Sequence, residues 1–252
     1  MVYRSSERMG KMKYKTLSII IPIYNEEKYI GKTINNVVGA DSCGLNKEII
    51  IVDDGSKDNS KFKIQKAKSQ FKNQKDKIKI LLKKNNEGKG AALKMGFLKS
   101  TGDIVLVQDS DLEYSPGDYP RLLEPFMKNE ADVVYGSRFI SDRPHRVLYF
   151  WHYVVNVLIT SLPNMLTNLN LTDMETGFKV FKGNLIRKIA PKLKSQRFGF
   201  EPEVTARLAK IPRIKIFEVG ISYSGRTYRE GKKISWVDGV RAVGEIIRFN
   251  LF

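Results

Sequence analysis

Apolar and polar positions alternate in blocks along the first half of the chain. Leu17-Ser18-Ile19-Ile20-Ile21-Pro22-Ile23 is a short run rich in β-branched residues. It predicts a buried strand and is too short to cross a membrane. Asn25-Glu26-Glu27 then opens a stretch with Ile30, Ile34, Val37 and Val38 at helical spacing. The same rhythm continues. Glu48 to Val52 reads as a strand, about Asp58 to Phe71 as a helix, and Ile78 to Leu82 as a strand. A helix opens near Gly88-Lys89-Gly90, Asp103 to Val107 is a strand, Pro116 to Met127 a helix and Ala131 to Gly136 a strand. Strands alternating with helices predict an α/β fold: a mostly parallel sheet with helices on both faces. In such sheets ligands bind at the carboxyl ends of the strands. The polar sequences Tyr24-Asn25-Glu26, Asp53-Asp54-Gly55-Ser56 and Asp109-Ser110-Asp111 fall there.

After residue 138 the rhythm changes. Val147 to Leu166 is apolar and aromatic, interrupted by His152, Asn156, Thr160 and Pro163. Its length and polarity are marginal for a membrane span. It reads as an amphipathic helix lying on the protein or in a membrane interface, against the alternative of a core helix. Arg138, Arg143 and Arg146 just before it favour an anionic surface. Trp236, Val237, Val240, Val243 and Ile247 again have helical spacing, with Arg241 and Arg248 in the gaps, so the last helix is either interfacial or core. The chain thus divides into a loose basic tail (1–15), a strand-helix half (16–140) and a second part of the same domain (141–252).

Composition narrows the chemistry. The chain has 252 residues, enough for one large domain or two small ones. One cysteine, Cys43, excludes a disulfide framework and a cysteine-based zinc site, and only two histidines occur, His145 and His152. Carboxylates, arginines, lysines and backbone amides remain. The formal net charge of +17 fits nucleic acid, an anionic membrane surface or phosphorylated small molecules. The lysines from Lys57 to Lys84 read as a solvated helix face. The polar, basic N-terminus lacks the apolar core of a secretory signal, which points to the cytosol.

Asp109 and Asp111, two positions apart where a strand breaks into a turn, can converge on one hard cation. Magnesium or manganese takes one or two carboxylates plus substrate phosphate oxygens, and so neutralises a diphosphate leaving group. Glu113 follows two residues on. Asp54 can accept from a base N–H or ribose hydroxyl, beside Gly55, which lets the chain turn sharply; Ser56 and Asp58 can equally cap a helix. Asn86-Glu87-Gly88-Lys89-Gly90 lacks the spacing of an ATP-binding P-loop. Its glycines and Lys89 before a helix N-terminus still offer an anion contact.

These pieces, IIIPIYNEE (19–27), IIIVDDGSKDNS (49–60), NNEGKGAALKMGF (85–97), DIVLVQDSDLEY (103–114) and VVYGSRF (133–139), together resemble family 2 glycosyltransferases of the GT-A, Rossmann-like fold. The segments HRVLYFWHYVVNVLI (145–159), LTDMETGFKVF (171–181), GFEPEVTARLAK (199–210) and SYSGRTYREGKKISWVDGVRAV (222–243) resemble the branch holding dolichyl-phosphate mannose synthases and polyprenyl-phosphate glucosyltransferases. The resemblance implies that 16–140 is the nucleotide-sugar-binding half and 141–252 the acceptor and membrane-interface part. Pro22, Tyr24, Glu26 and Asp54 match positions that hold the nucleotide base and ribose. Asp109 and Asp111 match the metal and diphosphate motif, and Glu113 a further metal contact. Arg138 follows the fifth strand as in the family. Arg226, Lys232 and Lys233 match a basic loop that closes over the diphosphate and acceptor phosphate, one residue longer here than in the mannose synthases. Arg143 and Arg146 are candidates for the arginine that enters the interfacial helix.

The implied reaction moves a hexose from a nucleotide sugar (GDP-mannose, UDP-glucose or UDP-GlcNAc) to a polyprenyl phosphate of the dolichyl type, with Mg2+ or Mn2+ and inversion at the anomeric carbon. A lipid phosphate is already a nucleophile, so positioning and charge neutralisation suffice, which suits a chain with two histidines. Asp109, Asp111, Arg226 and Lys233 would carry catalysis; Lys89, Arg138, Arg146 and Lys232 would bind substrate. The expected setting is peripheral, on the cytosolic face of an anionic membrane. The alternative keeps the fold and transfers to a polysaccharide or protein, which needs a carboxylate base such as Asp173 or Glu175. Nucleic acid is disfavoured, because the aromatics cluster beside aliphatics in 147–153 rather than alternating with basic residues.

Overall fold

The computed structural model describes residues 13–71, 77–140, 146–147, 149–197, 199–226 and 236–251. Seven strands form one sheet in the order β3-β2-β1-β4-β6-β5-β7. β1 (Thr16–Ile23), β2 (Asn46–Asp53), β3 (Lys77–Leu82) and β4 (Ile104–Val107) match the four predicted strands within two residues and pair in parallel. They are joined by α1 (Ile30–Gly39), α2 (Ser60–Gln70) and α3 (Lys89–Lys99). After β4, a single helical turn and α4 (Tyr119–Met127) lead to β5 (Val133–Ser137). Ile19 to Ile21 and Ile49 to Val52 are fully buried, because helices cover both faces of the sheet. One face packs Leu17, Ile19, Ile21, Ile49 and Ile51 with α1, α2 and α4; the other packs Ile20, Ile50, Val52, Val105 and Val107 with α3.

The second half adds two strands that the periodicity did not announce. β6 (Lys179–Lys182) runs antiparallel between β4 and β5, and β7 (Ile216–Gly220) runs parallel beside β5. The remaining helices are α5 (Phe150–Thr167), α6 (Gly183–Ile189), α7 (Phe200–Ala209) and α8 (Trp236–Leu251). Every parallel strand therefore ends on one edge, and antiparallel β6 begins there. That edge gathers the segments after β1, β2, β4, β5 and β7 together with the one before β6.

Two expectations need correction. Tyr14, placed by the sequence in a loose tail, is buried against Phe126, and the Lys15 N–H donates to Asp103 at 2.7 Å, so the fold already includes residues 13–15. Lys83, within the lysine run read as solvated, has a buried side chain that pairs with Asp54 at 2.8 Å. The other reading settled here is α5. It buries only Ile159, Thr160 and Pro163 and leaves Trp151 72%, Leu158 64% and Met165 79% exposed, so it is not a core helix. Among the described residues no helix is long and apolar enough to cross a membrane.

Glu48 fastens the opposite edge. It accepts from Ser18, from Lys79 at 2.5 Å and from the Thr101 N–H and hydroxyl at 2.8 and 2.9 Å. Burial alone would raise its carboxyl, but these donors outweigh it and hold the group at about 2. The sign follows: the folded chain resists protonation of Glu48, so its stabilisation is complete above pH 4.5 and fades as pH falls from there to about 2. Acid titration of the melting temperature should show Glu48→Gln closing on the parent across that window. A constant gap would show that the carboxylate charge is irrelevant.

Candidate active site

The β4 end supplies Gln108 to Tyr114. Gln108 holds the turn by donating to the Asp109 and Tyr114 carbonyls at 2.9 and 3.3 Å, and Thr33 of α1 donates to the Ser110 carbonyl at 2.8 Å. Leu112 adopts a left-handed φ of 65°, which turns the chain between Asp111 and Glu113. The segment after β7 crosses this turn. Tyr223 bridges to Tyr114, and the Ser224 N–H donates to the Glu113 carbonyl at 3.0 Å. The crossing delivers Arg226 to Asp111 and Glu113, at 2.9 Å each. Tyr223 donates its hydroxyl to Glu113 at 2.8 Å, and the Arg226 guanidinium stacks 5.4 Å from the Tyr29 ring centre.

Asp109 faces a different cation. Lys89, at the first position of α3, lies 3.0 Å from it and 3.2 Å from Glu201 in the first turn of α7. Burial would discharge Lys89, but Asp109 and Glu201 keep it protonated. Gly177 presses on Asp109 from the loop before β6: a Cβ there would stand 2.3 Å from its Oδ2 and 2.7 Å from the Tyr114 ring, so a larger residue would have to shift one or both. Burial, then Asp109 and Glu113, push the Asp111 carboxyl up to about 7 despite Arg226. Negative charge is thus in excess between Asp109 and Asp111.

Of the residues singled out in the sequence, Asp109, Asp111, Glu113, Arg226 and Lys89 come together. Asp54 lies next door, at the end of β2. It accepts from Gly88 N–H at 2.6 Å, Glu87 N–H at 3.1 Å and the Asn86 side chain at 2.9 Å, so it shapes the loop that presents Lys89. Asp53 caps the same turn by accepting from the Ser56 N–H at 3.0 Å. Pro22 is the next-to-last residue of β1, paired with Val52, and Tyr24 and Glu26 follow at the same edge. Glu26 is buried, and its charge helps keep Arg226 protonated. Arg138 binds Asp173 through two hydrogen bonds of 2.7 Å and stacks 5.3 Å from Tyr223. The Arg146 N–H donates to the Tyr223 carbonyl at 3.0 Å and its guanidinium to the Gly225 carbonyl at 3.1 Å. Arg138 and Arg146 thus both contact Tyr223, and Arg226 shares its Glu113 partner. Arg143, Lys232 and Lys233 lie outside the described residues.

The alternative bases separate clearly. Asp173 is fully buried and committed to Arg138. Glu175 keeps one buried oxygen without a partner, and burial plus Glu201 push it up to about 8. Lys179, pushed down to about 8 by burial against the pull of Glu201 and Glu175, donates to the Met174 and Thr176 carbonyls at 2.8 and 2.6 Å. Glu201 and Tyr223 escaped the sequence reading. In sequence Glu201 looks like an acidic residue at a helix start, and Tyr223 like one aromatic in a polar stretch.

Among the described residues no three His, Cys, Asp or Glu side chains converge to cage an ion. Each of the three carboxylates after β4 already faces a cation: Asp109 faces Lys89, and Asp111 and Glu113 face Arg226, with Tyr223 also on Glu113. A divalent ion would therefore have to displace a cation from any of them. Asp109 and Asp111 would then give the two carboxylates that Mg2+ or Mn2+ takes when phosphate oxygens complete the shell.

The dolichol-phosphate mannosyltransferase of Pyrococcus furiosus is 26% identical over 223 residues, covering 86% of this chain and 60% of that protein. The UDP-N-acetylglucosamine--dolichyl-phosphate N-acetylglucosaminyltransferase of Methanococcus voltae is 28% identical over 222 residues, covering 83% of this chain and 86% of that one. Glucosyl-3-phosphoglycerate synthase from Mycobacterium tuberculosis, solved with Mn2+, UDP and phosphoglyceric acid, superposes with a TM-score of 0.69 at 18% identity. That likeness, over 93% of this chain and 78% of the other, shows a shared GT-A fold. The profile named "Glycosyl transferase family 2" matches residues 18–190, which takes in the sheet from β1 to β6 and every acidic strand end described above: the chain belongs to that family.

Proposed function

We propose that the chain transfers a hexose from a nucleotide sugar to a polyprenyl phosphate at a bilayer surface on the cytosolic side. The observation that carries this reading is Arg226, which ties a basic segment to Asp111 and Glu113 at 2.9 Å. A leaving diphosphate needs such a meeting of carboxylates and cations whatever the acceptor; an anionic acceptor further calls for cations beside it, and Arg146 supplies one next to the Arg226 segment. The segments after β1 and β2, with Pro22, Tyr24, Glu26 and Asp54, form the nucleotide end. A divalent ion bound by Asp109 and Asp111 would neutralise the charge growing on the departing diphosphate. Arg226 shifts part of its pairing from carboxylates to phosphate oxygens, and Arg146 lies beside it to meet the acceptor. A phosphate oxygen of the acceptor forms the new bond to the anomeric carbon. The bond to the diphosphate oxygen breaks, the nucleoside diphosphate keeps the electron pair, and the centre inverts. Lys232 and Lys233 belong to the same basic loop in this proposal.

The test incubates the chain with Mn2+ or Mg2+, a polyprenyl phosphate and GDP-mannose, UDP-glucose or UDP-GlcNAc in turn, and extracts lipid-linked sugar. One donor should give product. Failure with all three and both metals would sink the proposal. One observation favours a second reading: the raised, half-unpartnered Glu175 suits a base for a sugar hydroxyl. Product on a soluble oligosaccharide, abolished by Glu175→Gln, would favour that version.

A further inference from the structure

A second concentration of positive charge lies away from the carboxylates. Lys192 and Lys194, Arg207 and Lys210 from α7 and its end, and Arg248 and Phe249 from α8 line a cleft of about 470 Å³. Three separate segments converge there, and no carboxylate is among the lining side chains. Two of the cations are set in place by main-chain oxygens. Arg207 donates to the Lys192 carbonyl at 2.6 Å and Lys210 to the Phe249 carbonyl at 3.1 Å. Leu193 is buried between the two lysines, and its carbonyl accepts from Lys94 at 2.7 Å, so the 192–194 segment is anchored. Two carboxylates stand near. Glu203 is fully buried and accepts from Arg207 and from the Lys194 and Ser195 N–H groups; Glu245 lies 3.6 Å from Arg248. Lys192, Lys194 and Lys210 have no carboxylate partner among the described residues.

The flank of this cleft is apolar. On α8, Ala242 and Ile246 are buried, while Val243 and Ile247 are exposed by 37% and 41%. Successive helical residues are about 100° apart, so Arg248 stands a little over a quarter turn round the helix from Ile247. α8 packs on α5, whose Trp151, Val155, Leu158 and Met165 are exposed. α8 thus carries one wall of a cationic cleft together with exposed aliphatic side chains, and its neighbour α5 exposes aliphatic and aromatic ones, the combination that seats on an anionic bilayer.

We infer that the cleft between α7 and α8 binds the phosphate headgroup of an anionic membrane lipid, and that this contact holds the chain on the bilayer through the exposed side of α8. It rests on the reading that the chain works at a bilayer, but not on the transfer chemistry. The test is therefore run without donor, metal or polyprenyl phosphate. Full-length chain is sedimented with phosphatidylcholine vesicles, pure or one-third phosphatidylglycerol. Lys192→Glu/Lys194→Glu/Lys210→Glu should weaken binding to the anionic vesicles about 10²-fold. A control that reverses three exposed lysines elsewhere, Lys66→Glu/Lys68→Glu/Lys99→Glu, should weaken it no more than about threefold, by the screened general field. A neutral triple glutamine variant of the cleft, with an unchanged melting curve, should fall between the parent and the glutamate variant. Equal losses in cleft and control variants would overturn the inference, as would unchanged binding by the cleft variant. Free glycerol phosphate at millimolar concentration should leave the vesicle-bound parent in place. If it displaces the chain, the site is one for a soluble phosphate and the lipid assignment is wrong.

Discussion

Asp111→Asn is expected to lower lipid-linked sugar formation by about 10³-fold while leaving the melting temperature unchanged or slightly higher. The catalytic loss is about 4 kcal/mol of transition-state stabilisation. Asparagine keeps the shape of the side chain but removes the charge that, under the proposed function, would join Asp109 in holding a divalent ion against the departing diphosphate. The stability side follows from crowding. Burial, Asp109 and Glu113 already push this carboxyl up to about 7, so a neutral group removes repulsion as well as the pairing with Arg226. Activity and thermal melts measured on the same preparation decide the matter. A variant within tenfold of the parent would mean that Asp111 does not serve the leaving group. A steep fall in melting temperature would recast it as a structural residue.

The second large effect is on stability. Asp173→Ala leaves the Arg138 guanidinium, whose side chain is 14% exposed, without its two-pronged partner. Stranding one member of a buried ion pair costs about 3–5 kcal/mol. In a chain of this size that lowers the melting temperature by roughly 10 °C. Arg138→Met/Asp173→Leu should recover most of the loss, because an apolar pair carries no desolvation cost. A drop of only a degree or two in Asp173→Ala would show that Asn156, which also accepts from Arg138 at 3.2 Å, suffices to hold it.

The contrast between legible and hidden parts has physical causes. β1, β2 and β4 were readable because both faces are covered, so their sequences are unbroken apolar runs. β6 was not, since Lys179 opens it. That lysine is buried only because the Met174 and Thr176 carbonyls and the Tyr135 ring receive its charge, and no periodicity encodes such a partner. β7 lies at the sheet margin and is half-buried along its length, which blurs its pattern. In the site, Asp54, Asp109 and Asp111 declared themselves because a carboxylate interrupting a strand end is rare without a reason. Glu201 and Tyr223 did not, because each meets its partner from about a hundred residues away. The pairing of Arg226 with Glu113 was equally unreadable: a resemblance supplied the arginine, and only the fold supplied its neighbour.

The reversed direction of β6 has a consequence for how this polypeptide can be divided. Its slot lies between β4 and β5, so a fragment stopping at residue 140 would hold two strands of the sheet apart with nothing to bridge their open backbone. The loop carrying Gly177 would be missing as well, and with it the wall behind Asp109. A fragment cut at that point should therefore be insoluble rather than merely inactive, and any exchange of segments between relatives has to graft around this inserted strand instead of joining two autonomous pieces.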